Sequence, residues 1–358
     1  MKANFFGRLD RTNPAKPAFS WPGCELQLLW RGAEAPRATL RVPPSRFLLE
    51  VRVMSPDGSP YEPKRAFSEP VASIQLAFDA GEREIDLSGG VAVPPEALCC
   101  SRLILASEPF DRPVAILECR SADGSEALDL ASLSTRPTHR PVIEFVGDSL
   151  TVGYGLVPHC EADPLDGTDH TQGYAFLASR ELGADHLAIA RSGKGIVRNW
   201  NGGEVGETMP DLYEDLVPRS GARLARDAVE RVDLAVVALG ANDFSEPLHA
   251  GEAWSTQEEL RADFAEKGER LLLRVRALLG EETPILAMPL TGGHDGPESV
   301  LWRGIVEALS SRGFHRIHFT EQFPPMNGFK GHPLPEAHRE MARFLCAEIR
   351  RLNLLPTP

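Results

Sequence analysis

I-E-F-V-G-D-S-L-T-V-G-Y-G, from Ile143 to Gly155, carries a short apolar run straight into a glycine, an aspartate and a serine. The run is too short for a typical helix and has the length of a buried strand. Gly147 permits a tight exit from that strand, which leaves Ser149 where the strand has ended and the next element has not begun. Two readings compete there. The serine can present its hydroxyl as a nucleophile, with its own N–H facing the same space, or it can be a helix N-cap, for which serine is a favoured residue.

The chain on the C-terminal side supplies the context. Beyond Pro141, apolar runs alternate with helical patterns, which argues for a parallel sheet covered by helices on both faces. The strand candidates are Val142 to Val146, His186 to Ala190, Leu234 to Leu239, Ile285 to Met288 and Arg316 to Phe319, five strands as in a flavodoxin-like sheet. Thr256-Gln257-Glu258-Glu259 has the form of a capping box, followed by Leu260, Phe264, Leu271, Val275 and Leu278 on one helical face. Further helices are expected over Gly173 to Leu182, Val300 to Ser310 and Pro335 to Arg351.

On the N-terminal side the grammar differs. Short β-type runs stand between Pro and Gly punctuation at Glu25 to Trp30, Ala38 to Val42, Phe47 to Met54, Ser73 to Phe78, Ser101 to Leu105 and Val114 to Cys119. Their spacing suggests an antiparallel sandwich over residues 1–135, with turn signals at Pro56 to Gly58 and Ala122 to Gly124. No residue of this half stands out as part of an active centre. The polar, two-proline stretch that follows reads as a linker, 136–141, before a second domain at 142–358. A chain of 358 residues is expected to hold two cores.

Bulk composition narrows the partners. With 51 acidic against 38 basic side chains, the net charge of -13 repels phosphate backbones and anionic lipid, so neither nucleic acid nor a membrane is an expected partner. No apolar run reaches the length of a membrane span and the first residues lack the apolar core of a secretory signal, so the expectation is a cytoplasmic chain. Cys24, Cys99, Cys100, Cys119, Cys160 and Cys346 show no metal or disulfide spacing and read as small core residues.

In an open parallel sheet, ligands bind beyond the carboxyl ends of the strands. Four such places are chemically loaded. After Ser149 comes A-R-S-G-K-G (Ala190 to Gly195), where a glycine lets a backbone N–H approach a ligand oxygen, though taken alone the stretch reads rather as an ordinary glycine-rich loop. L-G-A-N-D-F (Leu239 to Phe244) offers the Asn242 amide as a second donor and Asp243 as a residue that orders the loop; both are also common turn formers. G-F-K-G-H-P (Gly328 to Pro333) offers His332 as a general base, while His338, inside a helix, reads as structural.

Serine, glycine, asparagine and histidine in this order resemble the SGNH (GDSL) hydrolases. The stretches I-E-F-V-G-D-S-L-T-V-G-Y-G, S-G-K-G-I-V-R-N-W, T-M-P-D-L-Y, L-G-A-N-D-F-S and G-H-P, with F-G-R-L-D and F-S-W-P-G near the start, are similar to carbohydrate esterase family 2. The resemblance implies a jelly-roll-like sandwich followed by a three-layer α/β/α hydrolase domain, and removal of acetyl groups from xylan-, mannan- or oligosaccharide-type substrates without a metal or cofactor. It places the nucleophile on Ser149, the base on His332, and the oxyanion donors on Ser149, Gly193 and Asn242. Tyr154, Asn199 and Trp200 become candidates for holding the sugar.

One departure is chemical. The acid that these enzymes usually carry three residues before the histidine is replaced by Phe329, and no carboxylate lies between Gln322 and His332. A Ser149–His332 dyad, with a backbone carbonyl orienting the imidazole, is therefore expected. Two rival readings are a lipid or thioester esterase on the same fold, which the polar stretch His159 to Gly173 disfavours, and a catalytically weak carbohydrate-binding protein.

Overall fold

The computed structural model describes residues 2–31, 35–54, 70–94, 96–133, 140–157, 167–224 and 231–356. The Pro56 to Gly58 turn signal, Cys160 and most of the 136–141 linker lie outside the described residues.

The first part forms β1 (Lys2–Phe6), β2 (Ala18–Phe19), β3 (Glu25–Arg31), β4 (Arg37–Val42), β5 (Ser45–Val53), β6 (Ala72–Phe78), β7 (Gly81–Asp86), β8 (Leu98–Leu105) and β9 (Val114–Arg120). These make two antiparallel sheets, ordered β1-β3-β8-β5-β6 and β2-β9-β4-β7. The six strands expected from the sequence are present. The three that it did not reveal, β1, β2 and β7, all lie at sheet edges. An edge strand pairs on one side and tolerates charge, so G-E-R-E-I-D has no continuous apolar run to betray it.

The second part begins with β10 (Val142–Gly147) and continues with α1 (Ser149–Val152), α2 (Tyr174–Glu181), β11 (Asp185–Ala190), α3 (Met209–Leu212) and β12 (Leu234–Ala238). It is completed by α4 (Gln257–Leu279), β13 (Ile285–Ala287), α5 (Pro297–Ser311), β14 (Ile317–Phe319) and α6 (Pro335–Arg351). The five strands are parallel in the order β11-β10-β12-β13-β14. The first strand therefore sits between the second and third, the flavodoxin-like arrangement, and the chain reverses direction across the sheet beside β10. Every residue of β10, β11 and β12 is buried, which is why these strands read as mainly apolar runs, interrupted only by Glu144 in β10 and by Asp185 and His186 at the start of β11. Helices α2 and α6 cover one face through Tyr174, Met341 and Leu345, and α4 and α5 cover the other through Phe264 and Trp302. The Thr256–Glu259 capping box starts α4 as the sequence predicts.

The α/β part has an apolar cluster of its own around Phe145, Tyr174 and Leu345, but apolar packing is also continuous between the two parts. One apolar cluster runs from Phe5, Trp21 and Leu28 of the antiparallel sheets to Val146, Tyr213 and Trp302 of the α/β part. Ion pairs also reach across the same boundary. Within the antiparallel part Arg102 binds Glu25 at 2.5 Å and Glu50 at 3.3 Å, and from the other side Arg180 of α2 binds Glu50 at 2.8 Å. The Tyr213 hydroxyl donates to Glu144 of β10 at 2.6 Å, and Arg8 of the first part lies 3.5 Å from the same carboxylate. Breaking such a buried pair by removing one partner costs roughly 3–5 kcal/mol.

Candidate active site

Gly147 ends β10, and a side chain cannot be placed there: a Cβ would lie 2.1 Å from Thr151 Oγ1 in the turn that follows. Asp148 then caps α1, its Oδ1 accepting the amide of Leu150 at 3.0 Å. The N-cap role thus falls on Asp148 and not on Ser149, which is the first residue of α1 with its hydroxyl free for another partner. That partner is His332, whose Nε2 stands 2.8 Å from Ser149 Oγ.

His332 follows a single turn, Phe329–Gly331, in which Lys330 takes a left-handed φ of 47°. The turn brings the carbonyls of Phe329 and Lys330 to 3.3 and 3.2 Å from His332 Nδ1. A carbonyl can only accept, so Nδ1 carries the hydrogen in the neutral ring and Nε2 presents a lone pair to the serine hydroxyl. Burial lowers the pKa of His332, while the two carbonyls push it the other way. The Phe329 ring packs on Tyr154, with centroids 6.0 Å apart, and Tyr154 in turn lies against the imidazole, its centroid 4.7 Å from that of His332.

Opposite this turn is the loop after β11. Gly193 has φ of 79°, a left-handed conformation that favours glycine, and its carbonyl accepts from the Trp200 amide at 2.8 Å. Asn242 sits just past β12, where its Nδ2 donates to the Lys194 carbonyl at 2.9 Å and lies 3.3 Å from Asp148 Oδ2. Asp243 orders the loop as expected, its carboxylate accepting from the amides of Ile196, Val197 and Arg198 at 2.7 to 3.1 Å. Burial pushes Asp148 up to about 7, Asp243 to about 6 and Glu298 of α5 to about 8; the charge of Asp243 adds to the shift of Asp148, and those of Asp148 and Asp243 add to that of Glu298. Among the described residues no group of three or more His, Cys, Asp or Glu side chains could hold a metal ion.

Ser149, His332, Asn242 and Gly193 are therefore drawn to one end of the sheet, but two of the sugar-binding candidates are not open to a ligand. Asn199 is buried; its Oδ1 accepts from Gly195 at 3.1 Å and its Nδ2 donates to the carbonyls of Glu204 and Glu207 at 2.9 and 2.8 Å. Both ends of that amide brace the loop. Tyr154 is 9% exposed and packs on the imidazole, whereas Trp200 is 58% exposed beside Gly193 and keeps the properties of a stacking surface.

Residues 158–166 of the polar stretch lie outside the described residues, and Thr168 to Thr171 are buried inside the protein instead of lining a groove. Asp169 there accepts from Gln75 of β6, and His170 meets His186 at 2.8 Å. His338 is structural as expected, its Nδ1 accepting the Tyr174 amide at 3.1 Å. One contact to the site comes from the half in which no candidate was recognised: Glu108 Oε1 accepts the amide of Ser192 at 2.6 Å. In S-E-P-F-D this acid resembles any solvated turn residue, and nothing local marks it.

Residues 143–345 match the family described as GDSL-like Lipase/Acylhydrolase. An acetylxylan esterase / glucomannan deacetylase of Cellvibrio japonicus is 36% identical over 132 residues, which are 36% of this chain and 36% of that protein. The cellulase/esterase CelE of Acetivibrio thermocellus is 26% identical over 355 residues, 96% of this chain and 39% of that protein. The matches thus span well under half the length of these two relatives. A family two carbohydrate esterase from Clostridium thermocellum, solved in complex with cellohexaose, has the same fold, with a TM-score of 0.77 at 24% identity over 99% of this chain and 100% of that one. Since the matched segment runs from β10 into α6 and takes in more than half of the sequence, the chain belongs to the GDSL-like lipase/acylhydrolase family of ester-hydrolysing enzymes.

Proposed function

We propose that the enzyme is a serine esterase that removes O-acetyl groups from acetylated carbohydrates through an acyl-enzyme on Ser149. The observation that carries this reading is the 2.8 Å contact between Ser149 Oγ and His332 Nε2, with Nδ1 turned to carbonyl acceptors. Ser149 Oγ attacks the acetyl carbonyl as His332 takes its proton, and the tetrahedral intermediate expels the sugar alkoxide, which receives that proton. A water molecule, deprotonated by the same imidazole, then releases acetate and restores the serine. Negative charge on the intermediate is held by the N–H groups of Ser149 and Gly193 and by Asn242 Nδ2, whose long contact to Asp148 at 3.3 Å is the one an oxyanion would displace.

The absent acid is compatible with this mechanism. In a triad, replacing the acid by an amide costs about 10⁴ in rate because it favours the wrong tautomer. The carbonyls of Phe329 and Lys330 enforce the right one, although they carry no charge to stabilise the imidazolium. The carbohydrate assignment draws on the names of the relatives and on the exposed indole of Trp200 beside Gly193. Xylan-, mannan- and oligosaccharide-type acetates are its candidate substrates.

The test is acetate release from a panel of defined acetylated mono- and oligosaccharides, beside an acyl-length series of p-nitrophenyl esters. Sugar acetates and the acetyl ester should be preferred, and Ser149→Ala should abolish turnover to background. Preference for octanoate would replace the carbohydrate reading with a lipid esterase, and full activity in Ser149→Ala would end the nucleophile assignment.

A further inference from the structure

Residues 106–111, A-S-E-P-F-D, follow β8 of the antiparallel part and reach the loop just past β11. Glu108 is 3% exposed there. Besides accepting the Ser192 amide at 2.6 Å, its Oε1 lies 3.1 Å from the guanidinium of Arg191. A carboxylate–amide bond of this kind is charge-assisted and roughly twice as strong as a neutral one. The Ser192 N–H belongs to the peptide between Arg191 and Ser192, so the bond fixes the unit that immediately precedes the one carrying the Gly193 N–H.

Two residues further on, Phe110 holds a left-handed φ of 57°, an uncommon conformation for a bulky residue and one that is maintained where the surroundings enforce it. Two guanidiniums lie over its ring, Arg191 at 3.9 Å and Arg219 at 4.8 Å from the centroid. Arg219 binds Glu204 at 2.9 Å and Glu207 at 2.8 Å, and the same two carboxylates hold the ammonium of Lys194 at 3.0 and 2.8 Å. Lys194 is fully buried, and its carbonyl accepts the Asn242 amide at 2.9 Å. The placement of Gly193 and that of Asn242 thus depend on one loop, 191–195, whose outer side rests on Glu108 and Phe110.

We propose that Glu108, supported by Phe110, is a positioning residue for the oxyanion donors, so that the antiparallel part is a structural half of the catalytic unit and not only a binding module. This inference rests on the esterase reading for its catalytic consequence, but its structural content stands apart from it. If the role of Glu108 is the bond to Ser192, an amide at 108 can still accept from that N–H without charge, whereas an aspartate keeps the charge but is one methylene too short. If its role is merely to pair with Arg191, the order of the two variants reverses.

Glu108→Gln and Glu108→Asp are therefore compared with wild type and Ser149→Ala in p-nitrophenyl acetate kinetics, thermal unfolding, and hydrogen exchange of the peptide covering 191–195. We expect Glu108→Asp to lose on the order of 10–100-fold in kcat, as a misplacement near 1 Å does, with KM within about threefold. Glu108→Gln should stay within about threefold of wild type in kcat. Exchange at 191–195 should accelerate at least about tenfold in Glu108→Asp and remain near wild type in Glu108→Gln. Wild-type kcat and exchange in Glu108→Asp, or a greater loss in Glu108→Gln than in Glu108→Asp, would overturn the inference. Loss of Ser149-dependent turnover in the wild type itself would instead sink the esterase reading, while the exchange data alone would still decide whether Glu108 holds the loop.

Discussion

On one side of the Ser149 hydroxyl, His332 is oriented by two carbonyls of its own three-residue turn. On the other, Gly193 and Asn242 are set by side chains from distant segments, through Glu108, Asp148, Asp243 and the Lys194 ion pairs. The base side uses uncharged acceptors near the surface. The oxyanion side encloses ionisable groups so completely that burial drives three carboxyl pKa values upward. The difference is compatible with the roles proposed for the two sides. A base must change protonation during each cycle and needs an orienter that does not compete for the proton. Oxyanion donors must stay fixed as charge develops, and a rigid network anchored at many points keeps them so.

Four experiments can break or sharpen this contrast. The largest effect is expected from Asn242→Ala, which removes a donor and its anchor to Lys194. Its kcat on p-nitrophenyl acetate should fall about 10²–10³-fold, or ~2.7–4 kcal/mol of transition-state stabilisation, with the protein still folded by circular dichroism. Near-normal turnover would take Asn242 out of the oxyanion hole.

Next is Trp200→Ala, on the open edge of the same loop. Loss of a stacking face worth about 0.5–1.5 kcal/mol should raise KM for an acetylated oligosaccharide roughly two- to tenfold and leave p-nitrophenyl acetate unaffected. Equal losses on both substrates would mean that the indole supports Gly193 and does not bind sugar.

On the base side, Phe329→Asp restores the carboxylate missing from the turn. Because the carbonyls already set the tautomer, kcat should change by less than about tenfold. The pH profile should respond more clearly. Burial lowers the His332 pKa, so the acid limb of kcat/KM in the wild type lies below pH 6.5, and a neighbouring carboxylate should move it upward. A gain of several orders of magnitude in Phe329→Asp would show that two carbonyls are a poor orienter.

The smallest expected effect is on stability. Glu298 has its pKa raised from 4.5 to about 8 by burial, so the folded state holds its proton more tightly than the unfolded chain does. Its stabilising contribution is complete below about pH 4.5 and is lost as pH rises through about 8. Glu298→Gln keeps an acceptor for the Leu290 amide and cannot ionise, so its Tm should exceed that of wild type by a few degrees at pH 9 and match it near pH 5. No difference between the two pH values would mean that the carboxyl is better solvated than its surroundings suggest.

The same contrast decides what can be read in advance. The buried strands β10, β11 and β12 announce themselves as largely apolar runs, and the residues just past their ends are candidates because ligands of such sheets bind there. Edge strands such as β7 were missed because charge replaces their apolar pattern. Asn199 and Tyr154 were in the right segments, but their facing was not legible: the Asn199 amide turns inward to its own loop, and the Tyr154 ring lies on the imidazole. Glu108 was missed altogether, since the amide it holds is 84 residues away.

From the order of its elements and the residue types at the strand ends, the amino-acid sequence by itself determined a parallel sheet with serine, glycine, asparagine and histidine available at one edge. Those are properties of local periodicity and of chemistry, which survive without coordinates. Tertiary structure alone decided which atoms orient the histidine, which half of the molecule holds the 191–195 loop, and that one apolar cluster spans the two parts. Such relations depend on backbone carbonyls that every residue possesses and on contacts between segments far apart in the chain, and neither leaves a mark on the identity of any single residue.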